Sequence, residues 1–241
     1  MHIEIERLMY DMEEKLSKPQ NIIKDLKQFV EKDKSRDYKE YASVSVMVMN
    51  ICTSYSGTNQ NIMQSIYETT REVITKILSY DKNFCQEYLF VGKYVIAFFN
   101  TPVALCIDEV LDYAALLNTV ISGLDIMAKK KYDVNLSVTI GVDFGRVLRI
   151  NKRQNGYSAK ETFHGCSINN AIFYSDQHID DKDDNIIISE SIRCNLKKEY
   201  QDFFRNYNDK FFTSRLFNTK ALNWLKEKNP KLNKEEHNTA K

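Results

Sequence analysis

Glycine and proline are scarce: seven and three in 241 residues, too few for flexible linkers or a disordered stretch inside the chain. An excess of one charge sign is missing as well. Lys and Arg number 34 against 33 Asp and Glu, a formal net charge of +1, so no overall electrostatic footprint points to nucleic acid or to an anionic membrane surface. No run approaches the ~18 apolar residues that a membrane-crossing helix needs. The opening Met1-His2-Ile3-Glu4-Ile5-Glu6-Arg7 is too charged for a secretory signal. The five cysteines, at 52, 85, 106, 166 and 194, are scattered, odd in number and free of any Cys-x-x-Cys pair, which reads as reduced thiols in a reducing, cytoplasmic compartment. Internal repeats, a Gly-rich phosphate loop, a Ser/His/Asp arrangement and zinc-ligand spacing are all absent. His164 has no second His or Cys at ligand spacing, so it is assigned no metal.

What is there is a core. At 43% hydrophobic and 28% charged, the chain fits one compact domain with terminal additions. Residues 1–38 read as an N-terminal helical extension, with two helices over about Ile3 to Lys32 broken near Pro19; residues 39–218 read as the main domain, and 219–241 as a C-terminal helix and a fraying tail. A β-rich run from Ala42 to Ile51 leads through a polar turn into a helix with apolar positions at Ile62, Ile66, Val73 and Ile77. Phe84 to Phe99 predicts a hairpin bending at Gly92, and Pro102 opens a long helix whose face carries Ile107, Val110, Leu111, Ala114, Leu117, Ile121 and Leu124. A strand over Asn135 to Val142 follows. Arg146 to Lys152 and Tyr157 to Phe163 flank Asn155-Gly156, a strong hairpin signal. The acidic knot Asp180 to Asp184 precedes a buried strand over Asn185 to Ile188. This order predicts a ferredoxin-like α+β domain: an antiparallel-rich sheet with helices on one face.

Four segments carry more than fold information. Val44 to Ile51, Phe90-Val91-Gly92-Lys93 through Phe99, Ile140-Gly141-Val142-Asp143-Phe144-Gly145, and His164-Gly165-Cys166-Ser167-Ile168-Asn169-Asn170-Ala171 follow one another in the order and spacing of class III nucleotidyl cyclase catalytic domains, which they resemble over roughly Tyr41 to Asp176. The resemblance is nearest to the short bacterial cyclases of Pycsar anti-phage defence, which make cyclic CMP or cyclic UMP. It rests on Ile140 to Gly145 and on Glu161-Thr162-Phe163-His164-Gly165. It implies a nucleoside triphosphate ligand, Mg²⁺ or Mn²⁺ as cofactor in an active member, and a site formed between two chains of a homodimer or a heterodimer with a cyclase-like chain. Neither nucleic acid nor membrane is implied as a partner.

Against that pattern the metal seats are wrong. The family's two metal-binding aspartates fall on Asn50 and Lys93, an amide and an ammonium where the chemistry needs hard anionic oxygens. Taken singly, Asn50 reads as a strand-end residue bonding its own turn, and Lys93 as a solvated bend residue. The asparagine that orients the ribose falls on Asn169, which also reads as a helix cap. The arginine that stabilises phosphate charge falls on Phe173, which cannot donate, and the two base-reading positions fall on Leu89 and Thr162. Two function classes follow: a degenerate homologue acting as a nucleotide-binding or partner subunit, with no confident catalytic residue and no metal, or an active cyclase whose metals are held by other acids, for which Asp143 and Glu161 are the candidates.

Overall fold

The computed structural model describes residues 24–26, 29, 37–55, 60–154, 157–177, 179, 184–207 and 210–228. In chain order the elements are β1 (Lys24–Leu26), β2 (Tyr38–Tyr55), α1 (Gln60–Leu78), β3 (Cys85–Val91), β4 (Tyr94–Asn100), α2 (Ala104–Tyr132), β5 (Val134–Gln154), β6 (Tyr157–His164), α3 (Cys166–Ser175), β7 (Ile186–Ile188), α4 (Glu190–Arg193), α5 (Lys198–Gln201), β8 (Arg205–Asn206), β9 (Phe212–Ser214) and α6 (Thr219–Lys228). One sheet runs β3-β4-β2-β5-β7-β9-β8, with β1 beside β2 and β6 beside β5. Among the described residues only β1–β2 and β5–β7 are parallel pairs. The α+β class and the antiparallel-rich sheet therefore stand.

The centre of the sheet is β2, and its sequence explains why. Val44, Val46 and Val48 alternate with Met47 and Met49, and all five are fully buried, so both faces of this strand are covered. It pairs with β5 from Tyr38↔Asn151 to Tyr55↔Val134. That continuous partner holds β5 as one strand of 21 residues, where the sequence suggested two separated near Gly145.

Two expectations need correction. The helices are split between the faces. On one face α1 buries Ile66, Thr70, Ile74 and Leu78, one turn apart, and α2 buries the stripe from Ile107 to Ile121; both join Met47, Met49 and Ile140. On the other face lies α3, through Ala171, Ile168 and Ile172, against Val44, Val46 and Val48. Glycine at 141 makes this possible. A Cβ there would strike the Ala171 carbonyl and come within 2.6 Å of the Ser175 nitrogen, so α3 seats flush on the strand. The second correction concerns Lys24–Leu26, expected in a helix, which is a strand pairing parallel with Glu40–Ala42. On that side β4 covers β2 only from Val44 to Asn50. The earlier backbone groups of β2 would be an open edge, and β1 satisfies them. The remainder of the expected N-terminal helices, the Asn155-Gly156 turn, most of the acidic knot and the tail after Lys228 lie outside the described residues.

The hairpin at Gly92 forms as expected, with Gly92 at φ +59°. The strand over Ile186 to Ile188 is buried on every residue.

Candidate functional site: a polar latch on Asp176

Three strands and one helix bring the site together. Asn50 lies on β2 directly opposite Tyr94 on β4, so the two side chains share a face. It is the face of Val46 and Val48, under α3. Because Gly141, the partner of Val48, lets α3 sit on the sheet, the end of α3 arrives above Asn50. Asn50, only 8% exposed, donates Nδ2 to the Ser175 carbonyl at 3.2 Å and to Asp176 Oδ1 at 2.8 Å. Two acceptors on one side fix the amide with its nitrogen toward the acid and its oxygen turned away, toward Cys52 Sγ at 3.5 Å.

The hairpin closes from the other direction. The Ile51 nitrogen donates to the Lys93 carbonyl at 3.0 Å, anchoring the bend to β2. Lys93 Nζ reaches Asp176 Oδ1 at 3.2 Å, and the Tyr94 hydroxyl bonds both Asp176 oxygens at 2.9 Å. Lys93 Nζ also lies 4.9 Å from the Tyr94 ring centroid. The bond to Asp176, and after it the one to Tyr94, raise the Lys93 pKa above its ordinary value, so the ammonium stays charged throughout the neutral range. Asp176 thus gathers an amide, an ammonium and a phenol on one carboxylate.

This donor set does not fit a pair of divalent cations. Asn50 points N–H groups, not oxygen, at the cluster; Lys93 is a cation; and the one carboxylate is already held by three donors. Among the described residues no three His, Cys, Asp or Glu side chains converge elsewhere.

The other sequence candidates are dispersed. Asp143 is buried, with Oδ1 accepting from the Phe144 nitrogen and Oδ2 from Asn170 Nδ2, both at 2.8 Å. Glu161 accepts Arg149 Nη2 at 2.7 Å and Nε at 3.1 Å in an ion pair shielded from water. Both acids hold the fold together. Asn169 and Phe173 stand exposed on the outer side of α3, Phe173 at 53%, with no side-chain hydrogen bond to Asn169; Gly165, not Asn169, caps this helix. Leu89 packs into the α3-face cluster with Phe163, whereas Thr162, next to Phe163 on β6, is exposed on the opposite side. The structure does not bring that pair together. His164 is exposed. Sequence reasoning missed Asp176 and Tyr94. Tyr94 adjoins Lys93, and Asp176 follows Asn169 by two helical turns, but its contact with Asn50 spans 126 residues and has no local signature. Phe29 was missed too: it packs on the same sheet face, 6.2 Å from the Phe163 ring, with Arg149 over it at 5.1 Å.

No protein-family model matches the chain, and no curated protein matches it. Solved structures do. A bacterial light-regulated adenylyl cyclase superposes with TM-score 0.61 at 12% identity, covering 81% of this chain and 60% of its own length. The adenylyl cyclase CyaB from P. aeruginosa gives 0.57 at 13% identity, over 73% of this chain and 94% of its own. A guanylyl cyclase gives 0.57 at 10% identity, over 75% and 95%. The chain thus spans less than two thirds of the light-regulated cyclase and nearly the whole of the other two. The fold is that of adenylyl and guanylyl cyclase domains, reached at sequence identities that speak for fold alone.

Proposed function

We propose that this chain is a class III cyclase homologue in which the metal seats have become a metal-free latch, and that it serves as a nucleotide-binding or partner subunit in a Pycsar-type anti-phage setting. The observation that carries this is the meeting of Asn50, Lys93 and Tyr94 on Asp176. In this reading the triphosphate is held by the Lys93 ammonium, a fixed charge replacing a diffusible ion. Asn169 and Phe173 face outward from α3, where a second copy or a cyclase-like partner would meet them. Phe173 offers such a partner apolar contact and no charge for a transition state.

The alternative, an active cyclase with unusual ligands, would draw on Asp143 and Glu161, whose oxygens accept from Asn170 and Arg149. The test is turnover. Purified protein with Mn²⁺ and each of ATP, GTP, CTP and UTP makes no cyclic nucleotide on the proposed reading, and a homodimer repeats the same defect in both sites. Turnover that survives purification and disappears in Asp143→Asn or Glu161→Gln would establish the alternative.

A further inference from the structure

On the sheet face opposite the latch, α1 leaves a pocket of about 270 Å³ between itself and the β2–β4 strands. Its walls are Ile51, Ile66, Ile74, Val95 and Leu136. Thr70 turns its hydroxyl back to the Ile66 carbonyl at 2.7 Å, which leaves its methyl to the cavity. The interior is therefore apolar.

The mouth is cationic. Arg71 and Lys93 both line the pocket, and no acidic side chain among the described residues does. The Arg71 guanidinium carbon lies over the Phe90 ring, 4.6 Å from its centroid, and the side chain has no carboxylate within ion-pair distance among the described residues. A guanidinium without an acidic partner has N–H donors to offer an anion, and it can bind a carboxylate with two bonds. The nearby Lys93 adds positive potential, although its ammonium is shared with Asp176. A volume just under the ~300–1,000 Å³ typical of drug-sized sites suits a small molecule.

We propose that this pocket binds a small amphiphilic monocarboxylate, the tail among the isoleucines and the carboxylate on Arg71. Lys93 is common to this pocket and to the nucleotide reading, but the apolar walls lie on the other face of the sheet and the carboxylate is assigned to Arg71, so different variants test the two. The probes are octanoate and its uncharged counterpart octanol, followed on the isoleucine methyl resonances of the whole chain. Octanoate is expected to shift Ile51, Ile66 and Ile74 saturably. Arg71→Gln should weaken octanoate about tenfold and leave octanol within roughly twofold, the signature of a lost charge-assisted bond. Thr53→Trp, at an exposed position of the pocket lining, should block both. Absence of saturable shifts, equal effects of Arg71→Gln on the two probes, or binding unaffected by Thr53→Trp would each overturn the proposal.

Discussion

Asn50 and Asp176, 126 residues apart in sequence, meet at 2.8 Å with the amide nitrogen donating to the acid. The carboxylate arrives from the end of a helix and is already bonded by an amide. The acid belongs to the latch, and the latch ties β2, the Gly92 hairpin and α3 into one unit.

Asn50→Asp should therefore destabilise the fold. Two carboxylates would face each other at hydrogen-bond distance, raising the pKa of one of them. The penalty is absent at low pH, where both are protonated, and grows as pH rises through the carboxylate range. About 1 kcal/mol is expected at neutral pH, the low end because Asp176 is partly open to water. Thermal melts at pH 4 and pH 7 check this: an equal melting shift at both would be inconsistent with direct repulsion.

Gly141→Ala should cost about 3 kcal/mol, because the added methyl meets helix backbone that cannot rotate away. The displaced helix also carries Asp176, so the Asn50 amide resonance should move with it. Chemical denaturation together with that resonance decides the matter. A neutral substitution would mean α3 is not seated as described.

The Lys93 contact has its own pH signature. A raised lysine pKa means its contribution is fully present below about 10.4, the unfolded value, and is lost as pH rises through the folded pKa above it. Once the base-catalysed intrinsic rate is divided out, hydrogen-exchange protection in the hairpin and the last turn of α3 should fall together on alkaline titration in wild type, and this additional fall should be absent in Lys93→Met.

Thiol chemistry offers a fourth check. Burial pushes the Cys85 thiol up to about 12, while Cys52 and Cys166 are exposed. At pH 8 an alkylating reagent should label Cys52 and Cys166 readily and leave Cys85 untouched until the protein unfolds. Early labelling of Cys85 would mean that the β3 edge is open.

The periodicity of the chain made most of the fold legible, and the reasons are local. Alternating valine and methionine in β2, the Gly92 bend and the one-sided stripe of α2 each announce their element. The side of the sheet taken by α3 was not legible, since it depends on Gly141 lacking a side chain against a helix some thirty residues later. The strand at Lys24–Leu26 was hidden too, because it forms only where β2 overruns β4. At the site, Asn50 and Lys93 stood out by what they are not. Asp176, the residue that joins them, is an ordinary helix-end aspartate until the tertiary structure places it.

The central claim of the proposed function is that the Lys93 ammonium at the latch, not a metal, is what the protein offers a triphosphate. Calorimetric titration of CTP, UTP, ATP and GTP into the protein in EDTA and again in Mn²⁺ tests it most directly. The account predicts that at least one nucleotide binds with the same affinity in both. It also predicts that Lys93→Ala weakens that binding about tenfold to a hundredfold, the scale of a charge-assisted hydrogen bond. Binding that appears only with Mn²⁺, an affinity untouched by Lys93→Ala, or no binding of any of the four would contradict it.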